Sequence, residues 1–305
     1  MAKRALVASV NNYSNWNSGV TVGSLTLTAP NLQFCLADGD EFSNLLRSAF
    51  GFDVVNVLQD SQATSQAIID GINNLISCST AGDVVCFYFS GHGGRLPETP
   101  GSASTRYHEA IIPYDTNLVT SGQIANIAQA LPPSEINFTL VLDSCHSGGM
   151  YLSPDDRAFQ WDNASAQLFA SSCCGIVPWI CLPDASAVDN NVSSLQLDSN
   201  GFCTMSVDAS KDNPDNAKAT LFSACDYGET AKENPTLNHG FFTKAVIEAV
   251  NQCNFQITHP DLLAAIRTTV AGYTSTYGTS SQTPQLRGRP VRLSENFLQG
   301  WTYSI

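Results

Sequence analysis

The sequence predicts an α/β domain whose central sheet is mostly parallel and covered by helices on both faces. Three observations carry this. Near-continuous apolar runs of strand length recur at Arg4–Val10, Asp53–Leu58, Asp83–Phe89 and Asn137–Leu142, and segments of helical period lie between them. Such alternation means βαβ units, whose crossovers place helices on the two sides of the sheet. A length of 305 residues, 43% of them hydrophobic, suffices for one large domain or two small ones, with a sizeable core.

In chain order, Arg4–Val10 is the first strand, and Asn11 to Pro30, rich in Asn, Ser, Thr and Gly, is a loop. Asp38–Phe50 is a helix, because Phe42, Leu45, Leu46, Ala49 and Phe50 fall at i, i+3, i+4, i+7 and i+8. Gly51 stops it. Asp53–Leu58 is the second strand. Ser61–Ile76 is the second helix, with Ile68, Ile69, Ile72, Leu75 and Ile76 along one side. Asp83–Phe89 is the third strand, Gly94 to Arg106 a loop, and Ala110–Pro113 the site of a hairpin. Ser121–Leu131 is the third helix, ended by Pro132-Pro133. The strand Asn137–Leu142 follows.

From Tyr151 to Ala217 no element is predicted, a length that compact domains rarely leave structureless. The segment reads as an insert or linker (151–217) between a first part, 1–150, and a second, 218–305, of a single domain. The alternation resumes with a strand at Ala219–Cys225, helices at Phe241–Val250 and Pro260–Val270, and a short strand at Gln285–Arg287.

Net charge is −13 and the pI is about 4.6, which argues against nucleic-acid and anionic-membrane partners and favours a basic substrate. The apolar run Ala5 to Val10 is too short for a signal-peptide core or a membrane span, so a cytoplasmic protein is expected. The ten cysteines contain no C-x-x-C pair. Cys78, Cys86, Cys225 and Cys253 sit in apolar element patterns and read as buried free thiols of a reducing compartment. Cys173, Cys174 and Cys181 lack the matching histidines of a zinc site.

Two strands end in chemistry. One runs into Ser90-Gly91-His92-Gly93-Gly94, the other into Asp143-Ser144-Cys145-His146-Ser147-Gly148-Gly149. In open α/β sheets, reactive groups collect beyond the carboxyl ends of the strands. If these strands are adjacent and parallel, His92 and Cys145 project from one edge, as cysteine–histidine catalysis requires. The flanking glycines let backbone N–H groups approach a substrate carbonyl, and the amides of Gly93 and Cys145 are candidates for an oxyanion hole. Taken singly, His92 could be a loop histidine and Cys145 a small buried hydrophobe; the pairing favours catalysis. His146 follows Cys145 on a turn and points away from it.

The chain resembles the caspase-like cysteine proteases, in their metacaspase and bacterial orthocaspase branch. The matching stretches are Ala5–Tyr13 (ALVASVNNY), Leu32–Leu46 (LQFCLADGDEFSNLL), Ser90–Gly94 (SGHGG), Asp143–Gly148 (DSCHSG), Leu221–Glu233 (LFSACDYGETAKE) and His239–Thr243 (HGFFT). The resemblance implies the caspase–hemoglobinase fold, with a mostly parallel six-stranded sheet flanked by helices, and a catalytic dyad of His92 and Cys145. It also implies cleavage after Arg or Lys, with Cys35, Asp38, Ser90 and Asp143 forming an acidic substrate pocket. The chemistry agrees, since two converging carboxylates suit a planar guanidinium, and Arg is expected over Lys. Each pocket residue has a plainer alternative: an N-cap for Asp38, a strand-end cap for Asp143, a turn for Ser90, the core for Cys35.

Some positions depart from the family. Its usual Ile-Gly in the first strand is Ala8-Ser9 here. Its calcium positions fall on Ala125, Asn126 and Leu152, and although Glu109, Asp115, Asp155 and Asp156 lie nearby, the ligand set is incomplete. No cofactor is expected to be required. Glu229 and Glu233 match acidic positions of the second part, lining the cleft or pairing with Lys232 or Lys244. His239 reads as a cap or contact.

The function expected is therefore a cysteine endopeptidase acting on proteins or peptides with basic residues, monomeric by resemblance. No Lys or Arg lies between Arg157 and Lys211, and Lys218 follows just beyond, so self-processing at these three residues would leave the insert's interior intact. One rival is a catalytically silent caspase-fold binding module; such proteins typically lose the His or the Cys, and this chain keeps both. Another is a protease specific for aspartate, which needs arginines where carboxylates stand; only Arg95 lies beside the dyad.

Overall fold

The computed structural model describes residues 1–17, 20–22, 25–27, 29–97, 107–115, 117–128, 136–145, 219–226 and 229–300. The insert, with Arg157, Lys211, Lys218 and the acids Asp155 and Asp156, lies outside the described residues, as do Leu152 and His146.

Strand β1 (Lys3–Ser9) leads into helix α1 (Ser14–Asn17) and the hairpin β2 (Val20–Val22)–β3 (Leu25–Leu27). Then come α2 (Cys35–Ser48), β4 (Val54–Gln59), a 3-10 turn at Asp60–Gln62, α3 (Ser65–Ser77) and β5 (Val84–Ser90). An antiparallel group follows, β6 (Gly93–Pro97), β7 (Tyr107–Ile111) and β8 (Val119–Thr120), then α4 (Ser121–Ala128) and β9 (Asn137–Asp143). The second part holds β10 (Thr220–Ser223), β11 (Glu233–Asn234), β12 (His239–Gly240), α5 (Phe241–Gln252), α6 (His259–Tyr277), β13 (Gln285–Arg287) and α7 (Pro290–Leu293).

The main sheet has six strands in the order β13-β10-β9-β5-β1-β4. All neighbours are parallel except β13, which runs antiparallel to β10. Strands β5 and β9 are adjacent, with Ser90 opposite Asp143, so the two chemistry-bearing turns leave the sheet at the same edge. This is the adjacency that the dyad requires.

Side chains alternate between two cores, as strand geometry demands. On β5, Val85, Phe87 and Phe89 pack with Ile68, Ile72 and Leu75 of α3 and Ile124 of α4. Val84, Cys86 and Tyr88 face Phe42 and Leu46 of α2 and Phe241, Phe242 and Leu262 of α5 and α6. Each fully buried Phe or Leu contributes roughly 1.5–3 kcal/mol, and both faces are therefore occupied by helices. The Phe42 and Tyr88 rings stack at 4.2 Å. Thr64 caps α3 by accepting from the Ala67 N–H, and Thr258 caps α6 by accepting from the Asp261 N–H. Gly278, with φ of 65°, ends α6 in the left-handed region.

The departure at Ala8-Ser9 has a structural counterpart. A Cβ on Gly39 would lie 2.6 Å from the Ser9 Oγ, so the glycine on α2 makes room for the larger strand residue.

Several expectations are corrected. The stretch from Asn11 to Pro30 contains α1 and a hairpin rather than loop alone. The Gly94–Arg106 segment begins as strand β6, because Gly93–Pro97 finds backbone partners in Tyr107–Ile111, and the hairpin expected through Ala110–Pro113 is β7–β8, in which Ala110 pairs with Thr120 and Ile111 with Val119. The helix predicted from Ser61 splits at Thr64 into a 3-10 turn and α3. Cys86 and Cys225 are buried, but Cys78 and Cys253 are exposed C-cap residues of α3 and α5. The free thiols Cys35, Cys78, Cys86, Cys145, Cys225 and Cys253 form no disulfide among the described residues. No described helix is long and apolar enough to cross a membrane.

Candidate functional site

His92 stands two residues beyond β5 and Cys145 two residues beyond β9. Both line a single open cleft, together with Cys35, Asp38, Ser90 and Asp143. The two candidate catalytic side chains and all four candidate pocket residues thus share one cavity, although they come from three separate stretches of chain. Gly93 opens β6 directly against the Cys145 turn: a Cβ there would collide with the Cys145 carbonyl oxygen and lie 3.1 Å from the Ser144 side chain. The Gly93→Ala variant is therefore expected to lose about 1–3 kcal/mol of stability and to displace the turn bearing Cys145. Denaturant midpoints and the rate of iodoacetamide capture at Cys145 measure the two effects.

His92 is 1% exposed and held on several sides. Its Nε2 lies 2.8 Å from the Pro30 carbonyl oxygen. A carbonyl only accepts, so Nε2 carries the proton and Nδ1 is the ring nitrogen left to exchange one. The His92 backbone N–H donates to the Tyr13 hydroxyl at 2.8 Å, and that hydroxyl donates to the Ile112 carbonyl at 3.0 Å. The Tyr13 and His92 rings meet at 4.5 Å. Burial pushes the Tyr13 phenol up, which keeps it a neutral donor. Neither Pro30 nor Tyr13 is distinguished in the sequence as a partner of His92. Tyr13 closes the matched stretch ALVASVNNY, the one signal that pointed towards it.

The floor of the cleft is acidic. Asp38 is 1% exposed; its Oδ1 accepts from His239 Nδ1 at 2.9 Å and from the Gly240 N–H at 3.0 Å, and its Oδ2 accepts from Ser90 Oγ at 3.0 Å. Asp143 Oδ2 accepts from the Thr243 N–H at 3.0 Å and Thr243 Oγ1 at 2.7 Å. Burial first, and the Asp38 charge second, push the Asp143 carboxyl up to about 7. Burial also raises Asp38, against the lowering effect of its bonds from His239, Gly240 and Ser90. Gly240 is pressed against both acids, and a Cβ there would strike Asp143 Oδ2. The Cys35 thiol, raised by burial and by Asp38, stays protonated on the pocket wall.

Asp38 is not an N-cap. Helix α2 begins earlier, at Cys35, and Phe34 caps it without a side-chain bond. Glu233 of β11 takes the N–H groups of the two residues before the helix, Gln33 at 3.1 Å and Phe34 at 3.0 Å, and Asn11 Oδ1 takes that of Cys35 at 2.8 Å. Glu233 also lines the cleft. Glu229 instead accepts from the Thr283 N–H and hydroxyl. Neither acid pairs with Lys232 or Lys244 among the described ion pairs; Lys244 lies 3.9 Å from Glu41. His239, a contact by expectation, bridges Asp38 and Glu41. The HGFFT match marked the segment, but nothing in the sequence joined it to an acid 201 residues away.

Asp115 accepts from the Ser65 N–H and hydroxyl, and Ala125 and Asn126 fall on α4. No group of three His, Cys, Asp or Glu among the described residues is arranged to hold a metal ion.

The caspase domain family (peptidase C14) matches residues 2–293. The chain belongs to that family. Relatives of this caspase-domain chain include Metacaspase-4 of Arabidopsis thaliana, 32% identical over 131 residues, covering 40% of this chain and 31% of the relative. Metacaspase-7 of Arabidopsis thaliana is 33% identical over 158 residues, covering 49% and 36%. The matches thus span less than half the length of these relatives. Among solved structures, a Geobacter sulfurreducens protein aligns at a TM-score of 0.62 and 16% identity, covering 98% of this chain and 99% of the other. Caspase-1 from Spodoptera frugiperda aligns at 0.52 and 13%, covering 96% and 87%. At such identities the structural matches speak for the caspase fold, which the six-stranded sheet shares.

Proposed function

We propose that the chain is a cysteine endopeptidase of the metacaspase type that cleaves after Arg, and less readily after Lys. The observation that carries this reading is the shared cleft, with His92 and Cys145 on its wall and Asp38 and Asp143 on its floor. The substrate's basic side chain enters between the carboxylates, His92 Nδ1 takes the proton of the Cys145 thiol, and the thiolate attacks the carbonyl carbon of that basic residue. The amides of Gly93 and Cys145 bind the oxyanion. His92 then gives a proton to the departing amine, the C–N bond breaks and a thioester remains. Water, deprotonated by His92, hydrolyses the thioester and restores the thiol.

Substrates are proteins or peptides bearing basic residues. The net charge of −13 opposes nucleic-acid and anionic-membrane partners and draws basic chains to the cleft. The free thiols among the described residues fit a reducing cytoplasmic setting. The catalytic unit works as a monomer, without calcium, and processes itself at Arg157, Lys211 or Lys218.

A fluorogenic peptide panel with Arg, Lys or Asp before the scissile bond tests the reading, run with and without EGTA. Turnover of Arg above Lys, none of Asp, and no effect of the chelator are expected. Turnover of Asp alone would overturn the pocket assignment, and no turnover would favour a silent binding module.

A further inference from the structure

His239 sits between two acids of α2. Its Nδ1 meets Asp38 Oδ1 at 2.9 Å, and its Nε2 meets Oε2 of Glu41, whose side chain is 40% exposed. The neutral imidazole has one donor and one acceptor, whereas ionised carboxylates only accept. Asp38 already takes N–H and O–H bonds from Gly240 and Ser90, so it is an acceptor towards His239 as well. The ring bonding two carboxylates is therefore the imidazolium. The bond to Asp38 is the largest cause raising the His239 imidazole above its ordinary value, and burial opposes it.

The surroundings explain why a positive charge belongs there. From α2, Asp38 and Glu41 face the ring; from α5, Lys244 does so more weakly. Behind Asp38 stand Asp143 at the end of β9 and Glu233 on β11. Three acids around one small cleft do not all ionise without compensation, and the desolvated ones take up protons first. Lys232 also lines the cleft, but among the described residues His239 is the cationic side chain hydrogen-bonded to Asp38.

We propose that His239 is a positioning residue of the basic-residue pocket: its charge keeps the Asp38 carboxylate ionised and oriented towards the cleft, and so governs how tightly a substrate guanidinium is held. The inference rests on the pocket reading above. His239 itself needs no contact with substrate. Glu41, at the surface, sets the charge of the ring from outside.

Three variants test this: His239→Ala, His239→Gln, which keeps an N–H donor without the charge, and Glu41→Gln, a surface change that leaves the core intact. The readouts are KM and kcat for an Arg peptide and the Ki of agmatine, a small guanidinium probe, from pH 5.5 to 8.5. His239→Ala is expected to raise both KM and the agmatine Ki at least about tenfold, as for other buried charge partners, with kcat changed by less than about threefold. The acid limb of kcat/KM should move to higher pH in His239→Gln and, less far, in Glu41→Gln. Profiles of these two variants that superimpose on the wild type, or kcat falling in step with kcat/KM, would overturn the role of His239. A wild type that neither turns over the Arg peptide nor binds agmatine would overturn the pocket reading itself, a result separable from the first.

Discussion

Replacing Cys145 by alanine is expected to lower kcat/KM for an Arg peptide by at least about 10⁴-fold, the scale seen when a nucleophile acting in concert with a base is removed. The side chain is buried at 6% exposure, and alanine fits the same space with only the sulfur lost. The thermal midpoint should therefore stay within a few degrees, which separates lost chemistry from lost fold. The same variant reports on self-processing. Intact-mass spectra of the wild type should show fragments ending at Arg157, Lys211 or Lys218, and the Cys145→Ala chain should remain whole. Identical masses for the two would remove self-processing while leaving the peptide assay to judge the protease. A Cys145→Ala chain of undiminished activity would remove Cys145 as nucleophile.

Asp143→Asn is expected to weaken turnover of an Arg peptide by about two to three orders of magnitude, the effect of removing one partner from a desolvated charge pair. Most of the loss should appear in KM, because the guanidinium is held in ground and transition states alike. The wild-type pH dependence follows from the same group. With the carboxyl raised to about 7, the empty pocket binds a proton at pH 6 that an incoming guanidinium must displace. The Ki of agmatine should accordingly fall as pH rises through about 7, and Asp143→Asn should flatten that curve.

Stability responds with the opposite sense. The Asp143 carboxyl titrates at 3.8 in the reference state and at about 7 when folded, so the folded chain binds more protons between those values. Stability contributed by the protonated group is present below about pH 4 and is lost as pH rises through about 7. Asparagine cannot ionise, and its carbonyl oxygen can still accept from Thr243. Asp143→Asn should therefore raise the thermal midpoint at pH 8 and leave it nearly unchanged at pH 4. A variant less stable than the wild type at pH 8 would show that the buried charge is better compensated than its surroundings imply.

Much of this was legible in the amino-acid order. Apolar runs of strand length and period-3.6 stripes marked all six strands of the main sheet and the helices α2, α3 and α5 to within a few residues, and α4 and α6 by their starts, α6 running on to Tyr277, because those patterns record which faces each element buries. The glycine-flanked His92 and Cys145 announced themselves at strand ends. Short or antiparallel pieces escaped: β6 carries two glycines and a proline, and its ladder is decided by pairing with Tyr107–Ile111 rather than by local preference. The start of α2 escaped for a similar reason, since the acceptors around it, Asn11 for Cys35 and Glu233 for Gln33 and Phe34, lie 24 and some 200 positions away.

What the sequence alone determined is the class of fold and the placing of His92 and Cys145 at strand ends; that β5 and β9 are neighbours was a condition which the order of the sheet met. What only the tertiary structure decided is the protonation and aim of each group: Pro30 placing the proton on His92, Tyr13 bracing it, Gly240 closing over two carboxylates, and His239 joining Asp38 to the surface. Hydrophobic burial is written in local periodicity, so a linear reading recovers it. Proton affinities depend on desolvation and on charges brought within a few ångströms from distant parts of the chain, and no spacing along the sequence records those distances.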